Sequence, residues 1–352
     1  MTPRVLIVGA GGLGGITAAL MTQRGGADVF ALTTNAAIAT AIRSHGYRVT
    51  GQAVDAAVVR GQVLEALGPE VAPFDVVVLA VQPPQVEEAA RSVTAHLSPG
   101  ARVVCFQNGL CEERVERIVG GGRVVGAVVA WGGSMPSPGE YVRTARGGFT
   151  VGRPDGRIDA ELERVADLLS AVGPVKTTMN LAGARWSKLA INCAISTLGT
   201  LGGATLGAVL LHRSARRLAL EIMTEAVAVS RRLGVTLDKI GGVDLEWLAL
   251  TEGERWASGS PSLLAKHSVL LATGARYRRM RSSMLAAIER GRPPAVDFLN
   301  GEIVTRAAAL GLEAPVNAEA QRMVHELAHR RLAPGISAIY TLRDRLAASR
   351  AA

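Results

Sequence analysis

The stretch from Arg4 to Leu32 constrains this chain most. Arg4-Val5-Leu6-Ile7-Val8 is a short apolar run, and Gly9-Ala10-Gly11-Gly12-Leu13-Gly14 follows it at once. Ile16 to Arg24 then reads as a helix, and Asp28-Val29-Phe30-Ala31-Leu32 as a second strand. A Gly-x-Gly-x-x-Gly pattern alone says little in a chain with 40 glycines. Placed between a strand and a helix, inside a unit of βαβ length, it specifies a dinucleotide-binding turn. The reason is local. Gly9 permits the tight turn, Gly11 lets backbone approach a pyrophosphate with no Cβ in the way, and Gly14 lets the helix pack on the strand. The free N–H groups of the helix N-terminus then hold the anion. Gly9, Ala10, Gly11, Gly12, Leu13 and Gly14 are therefore candidate cofactor-binding residues.

Bulk properties narrow the classes. A chain of 352 residues defaults to two domains, and 48% hydrophobic content supplies their cores. No apolar stretch is long and charge-free enough to span a bilayer. The N-terminal apolar run belongs to the first strand rather than to a leader peptide. Cys105, Cys111 and Cys193 form neither a disulfide framework nor a metal spacing, so no metal site and a cytoplasmic location are expected. The net charge of +9 raises the question of nucleic acid. The arginines are scattered, however, and the densest cluster (Arg276, Arg278, Arg279, Arg281) comes with no nucleic-acid motif. A basic field also attracts an anionic cofactor and a carboxylate substrate, which is the preferred reading.

The strands that follow extend the pattern. Asp75 to Val81 is rich in valine, as befits a strand buried on both faces of a parallel sheet. Arg102 to Phe106 and Val124 to Val129 read as further strands, with helices at Val86–Leu97 and Glu112–Val119. Gly132 to Gly152 reads as antiparallel strands, and Ile158–Val172 as a helix before a last strand at Val175. In open α/β sheets, ligands bind beyond the carboxyl ends of strands. Gln82 and Asn108 stand at two such ends. The loop after the second strand, Thr33-Thr34-Asn35, has no acid for a ribose 2′-hydroxyl. That argues against ordinary NAD selectivity and mildly for NADP, with Thr34 a candidate contact and Arg43 a source of charge for a 2′-phosphate.

After Asn180 the sequence becomes almost wholly helical. The expected fold is thus an α/β N-terminal domain with a doubly wound, Rossmann-type sheet, followed by an all-α C-terminal domain. The boundaries are 1–178 for dinucleotide binding and 179–352 for substrate binding and dimerisation. The second domain opens on a helix where Lys188, Asn192 and Ser196 lie four apart and stack along one face. A polar stripe flanked by Trp186, Leu189, Ile191 and Ile195, beside a domain junction, marks a site. Asp244–Ser268 reads as an insertion or helical hairpin, with Trp247 and Trp256 in core or subunit contacts.

These residues together resemble the ketopantoate reductase (2-dehydropantoate 2-reductase) family over nearly the whole length. The resemblance rests on the glycine turn, Gln107-Asn108-Gly109-Leu110, Trp186-Ser187-Lys188-Leu189-Ala190-Ile191-Asn192-Cys193 and Ser282-Ser283-Met284. Asp297-Phe298-Leu299-Asn300-Gly301 and Ala314-Pro315-Val316-Asn317 complete it. It implies NADPH-dependent reduction of a 2-keto acid to a 2-hydroxy acid. By resemblance, Lys188 is the general acid, Asn108 and Asn192 position cofactor and substrate, and Ser283 holds the substrate carboxylate. Elementary chemistry agrees, because hydride addition builds negative charge on the carbonyl oxygen and an ammonium of lowered pKa can neutralise and protonate it.

Three positions depart from the family pattern. Gln82 stands where a lysine is common in the cofactor groove. Ala295 stands where a glutamate contacts the substrate's hydroxyl. Ser196 replaces a third helix-face asparagine. The lining is more apolar, so a larger and less polar 2-keto acid is an alternative substrate. An opine-type or other ketone or imine reductase is a second reading, and a non-catalytic NADP-binding regulatory protein a third. The expected partners are a small-molecule 2-keto acid and, through the aromatics of the helical half, a second copy in a homodimer. Neither nucleic acid nor membrane is expected.

Overall fold

The computed structural model describes residues 2–240, 242–256 and 259–351, so Ala257 and Ser258 of the 244–268 stretch lie outside the described residues. The chain divides into two compact units, Met1–Leu181 and Ala182–Ala352.

The first unit runs β1 (Arg4–Val8), α1 (Gly12–Arg24), β2 (Asp28–Leu32), α2 (Ala36–His45), β3 (Tyr47–Gly51), β4 (Ala57–Val59), β5 (Gln62–Leu64), β6 (Phe74–Leu79), α3 (Val86–Val93) and β7 (Leu97–Cys105). It continues with α4 (Glu112–Val119), β8 (Val124–Val129), β9 (Gly132–Ser137), β10 (Glu140–Ala145), β11 (Phe149–Gly152), α5 (Ala160–Ser170) and β12 (Val175–Thr178). Eight strands form one sheet in the order β12-β11-β8-β7-β6-β1-β2-β5. All neighbours are parallel except β11, which pairs antiparallel with β8. Val5, Leu6, Ile7 and Val76 to Leu79 are all buried. A strand covered on both faces needs apolar side chains on both, and each such valine or leucine contributes about 1.5–3 kcal/mol.

Helix α1 begins at Gly12, earlier than the apolar periodicity suggests, because the turn glycines themselves form its first residues. A second sheet, ordered β4-β3-β10-β9, packs on α1. Its β10 pairs with β3 in parallel, joining segments far apart in the chain. The sequence shows the strands of 132–152 but not this partner.

The second unit is helical: α6 (Leu181–Gly202), α7 (Leu206–Leu211), α8 (Arg213–Arg232), α9 (Leu245–Leu248), α10 (Glu252–Trp256), α11 (Pro261–Arg276), α12 (Ser283–Glu289), α13 (Asn300–Ala309), α14 (Pro315–Ala328) and α15 (Ile336–Ala351). Helix α6 begins on the last residue of the first unit. Buried polar groups knit α6, α8, α13 and α14. Asn300 Oδ1 accepts from the Thr197 hydroxyl at 2.5 Å, and its Nδ2 donates to Cys193 O at 3.2 Å and Asn317 Oδ1 at 2.9 Å. Asn317 Nδ2 donates to Glu225 Oε2 at 2.7 Å, and the Val316 and Asn317 N–H groups donate to the same carboxylate. Asn317 thus lies inside the first turn of α14 as a core hub.

Among α9 to α11, Lys266 Nζ donates to Glu254 Oε2 at 2.6 Å and to Ala249 O at 2.8 Å, with Lys266 only 2% exposed. Trp247 and Trp256 are 45% and 79% exposed, so of the two expectations, core or subunit contact, the first is corrected. No helix among the described residues is long and apolar enough to cross a membrane.

Candidate active site

Two constructions carry the candidate residues, one in each unit. The first is the carboxyl edge of the large sheet. Chain order reverses across β1, with β2 on one side and β6 on the other, which is where such sheets open a crevice. Backbone bonds hold the loops together there. Gly9 N–H donates to Leu32 O, Ala80 N–H to Val8 O and Phe106 N–H to Leu79 O, at 2.9, 2.8 and 3.1 Å. Gln107 Nε2 donates to Leu79 O at 2.8 Å and Val81 O at 3.1 Å, clamping the end of β6 to that of β7. Its motif was visible in the sequence, but its role depends on distant carbonyls that no local pattern reveals.

The glycine turn has the shape its chemistry needs. Gly9 has φ +100°, open to glycine at little cost. A Cβ on Gly14 would lie 1.8 Å from Gly9 O, so α1 packs directly on the turn. A Cβ on Gly11 would meet nothing within 4 Å, leaving an open approach to backbone. Helix α1 has no side-chain cap, so the N–H groups over Gly12 and Leu13 stay available to an anion. Ala10 is buried, and its carbonyl accepts from the Tyr141 hydroxyl at 3.0 Å. Tyr141 therefore braces the turn from below, a role absent from any sequence motif. This cradle fits a dinucleotide pyrophosphate.

Thr34, Gln82 and Asn108 are exposed along the same edge. Thr33 is buried, and its hydroxyl accepts from Asn35 N–H at 3.3 Å. Asn35 Oδ1 accepts from Ile38 N–H at 3.2 Å and so caps α2. Arg43 lies in the last turn of α2 and pairs with Glu65 at 2.5 Å. Both side chains of that pair are about half exposed, so it is a weak surface pair.

The second construction is the face of α6. Lys188, Asn192 and Ser196 follow one another at single-turn spacing. Trp186 and Leu189 beside them are buried, as the sequence suggests, whereas Ile191 and Ile195 are only partly so. Lys188 is half-buried. Loss of solvent and the Arg185 guanidinium almost one turn earlier push its ammonium pKa down to about 8. Asn192 is 9% exposed, and its Nδ2 is buried without a hydrogen-bond partner. An amide donor left so costs about 1–3 kcal/mol, a penalty that a ligand oxygen or water there would relieve.

Ser196 O accepts from the Ser282 hydroxyl at 2.9 Å, and Thr200 Oγ lies 2.8 Å from Ser282 Oγ. Ser282 also caps α12, its Oγ accepting from Leu285 N–H at 3.4 Å. Ser282 is thus a structural pin, and Ser283, next to it, stays exposed at the first turn of α12. The fold thereby brings the end of the α6 stripe to the Ser282-Ser283 turn. No group of three His, Cys, Asp or Glu among the described residues could hold a metal ion.

A glycine cradle for a dinucleotide, joined in one chain to a helical unit with a lysine–asparagine face, defines a class: two-unit oxidoreductases acting on CH–OH groups. The ketopantoate reductase PanE/ApbA family model matches residues 5–156, and the model of its C-terminal region matches residues 180–328. The chain belongs to the ketopantoate reductase family. The 2-dehydropantoate 2-reductases of Pyrococcus abyssi and Archaeoglobus fulgidus are 27% and 28% identical to it, over 89% of this chain and 94% of theirs. A solved PanE/ApbA family ketopantoate reductase from Ralstonia eutropha JMP134 shares the fold at TM-score 0.76 and 24% identity, covering 93% of this chain and 99% of that one. A D-mandelate dehydrogenase solved with NADH and anilino(oxo)acetate shares it at TM-score 0.75 and 16% identity, covering 97% and 99%.

Proposed function

We propose that this protein reduces a 2-keto acid to the 2-hydroxy acid with a nicotinamide dinucleotide, and that Lys188 is the proton donor. A reduced nicotinamide dinucleotide, held by its pyrophosphate at the glycine cradle, would supply the hydride. The remaining work falls to this chain's side chains. The Lys188 ammonium stabilises negative charge growing on the keto oxygen and transfers a proton to it from Nζ. Asn192 Nδ2, one turn along, offers a second donor to a substrate oxygen. Ser196 and Ser283 offer hydroxyls for the substrate carboxylate. Gly9 to Gly14, Thr34, Gln82 and Asn108 hold the dinucleotide. The observation that carries this reading is the face of α6, where a lysine of pKa about 8 stands one turn from a buried, unpartnered amide donor.

The substrate includes ketopantoate and extends to 2-keto acids with larger apolar groups. Ala295 is half-buried and presents a methyl group where the family resemblance implies a carboxylate, and Ser196 is shorter than an asparagine. A site that offers no partner to a substrate hydroxyl discriminates weakly for it. NADPH is the cofactor the resemblance implies, although the loop after β2 offers its 2′-phosphate a hydroxyl and no charge. A homodimer and a cytoplasmic location remain part of the proposal.

The test is the pH dependence of keto-acid reduction. Lys188 must be protonated to act, so kcat/KM should fall as pH rises through about 8. Oxidation of the hydroxy acid needs the neutral amine and should rise over the same range. A reduction rate flat from pH 7 to 9 removes Lys188 from the role.

A further inference from the structure

Strands β9 and β10 of the small sheet meet the β1–α1 turn where that turn has no side chains. A Cβ on Gly12 would lie 2.5 Å from Gly133 O in β9, and a Cβ on Gly15 would overlap the Tyr141 ring of β10. Gly15 lies outside the Gly-x-Gly-x-x-Gly pattern, and the ring fills the room it leaves. Tyr141 is 1% exposed, and its hydroxyl donates to Ala10 O at 3.0 Å, across 131 residues of chain. The peptide bonds of the described residues are all trans. The plane that turns Ala10 O toward Tyr141 therefore turns the next N–H, that of Gly11, the opposite way. Space around Gly11 is open: a Cβ there would meet nothing within 4 Å, and its N–H has no acceptor among the described residues.

Tyr47 backs this arrangement from β3. It is 1% exposed, its ring centre lies 6.0 Å from that of Tyr141, and its hydroxyl donates to Gln62 O of β5 at 3.4 Å. Packed between Tyr47 and Gly15, the Tyr141 ring has little freedom to swing its hydroxyl off Ala10 O. Burial pushes the Tyr141 phenol well above its ordinary range, so the hydroxyl stays a donor around neutral pH.

We infer that Tyr141 is a positioning residue for the dinucleotide, fixing the Ala10–Gly11 peptide so that the Gly11 N–H is set toward the pyrophosphate before the ligand arrives. This rests on the reading of the glycine turn as a dinucleotide cradle. A peptide next to glycine rotates freely unless held, and ordering it on binding weakens affinity. Holding it in advance removes that cost. Tyr141 acts through the backbone and needs no contact with the ligand.

Tyr141→Phe keeps the ring and removes only the hydroxyl. Tyr47→Phe is the matched control, because it removes a buried hydroxyl from the same pair of rings and leaves Ala10 O held. The full-length proteins would be titrated with NADH and with NADPH by calorimetry, well below their Tm. Tyr141→Phe should raise Kd by about three- to tenfold, and by the same factor for both dinucleotides, since the pyrophosphate is common to them. Tyr47→Phe should leave Kd within about twofold of wild type, whatever it does to Tm. A merely structural Tyr141 would lower Tm in Tyr141→Phe and leave Kd at the wild-type value. That result, or an equal weakening in Tyr47→Phe, overturns the inference and leaves the dinucleotide site standing. Binding of neither dinucleotide by wild type overturns the reading beneath it as well.

Discussion

Lys188 shows how position along a helix becomes chemistry. Its neighbours at three and four residues are Arg185 and Asn192, so one side brings a like charge and the other a donor amide. With Lys188→Ala, kcat for reduction should fall by about 10²–10⁴-fold with dinucleotide affinity retained, read by steady-state kinetics beside a binding titration. Asn192→Ala should raise KM and lower kcat for the keto acid; because its Nδ2 has no partner within the protein, thermal stability should change little or rise. Both residues were legible in the sequence, since a four-residue repeat on an apolar helix is a one-dimensional signal. Gln107, Tyr141 and Glu65 were not, because each acts on a group that only the folded sheet brings near. The Arg43–Glu65 pair was hidden for the same reason: the sequence shows a cation in α2 but not the carboxylate that follows β5 against it.

At the scale of elements, the α6 face is only as well placed as the helices behind it. Asn300→Ala removes two donor bonds and leaves the Thr197 hydroxyl and Asn317 Oδ1 without their partner. It should destabilise the protein by about 2–4 kcal/mol in urea denaturation. The α9–α11 segment has its own fastening. Burial pushes the Glu254 carboxyl up, but hydrogen bonds from Lys266 and from Thr251 N–H outweigh that and hold it at about 2. This contribution is present above the ordinary carboxylate range and is lost as pH falls toward 2. Lys266→Met should cost about 3–5 kcal/mol, because it strands a buried carboxylate. Lys266→Met combined with Glu254→Leu should recover much of that loss. In the sequence, β1, β2, α4 and β8 were readable almost to the residue, as each is a compact apolar or amphipathic run bounded by glycine or a turn. The parallel pairing of β10 with β3 was hidden, since a strand's partner across a long loop leaves no local trace. Helix α15 buries a stripe at Ala338, Ile339, Leu342 and Leu346.

The whole molecule joins an α/β unit with a glycine cradle to a helical unit with a lysine–asparagine face. Binding to the folded cradle alone must stabilise it by mass action. Saturation with reduced dinucleotide at about 100 times Kd should add about 2.7 kcal/mol, visible as a rise in Tm. Gly14→Ala should abolish that rise, because its Cβ would collide with Gly9 O. The measurement that bears most directly on the account is oxidation of NADH and NADPH by the purified protein, followed with ketopantoate and a series of bulkier apolar 2-keto acids, beside Lys188→Ala. The account predicts turnover of at least one keto acid, falling above pH about 8 and reduced at least about a hundredfold in the variant. Wild-type rates in Lys188→Ala, or a dinucleotide that binds while no keto acid turns over, would contradict it.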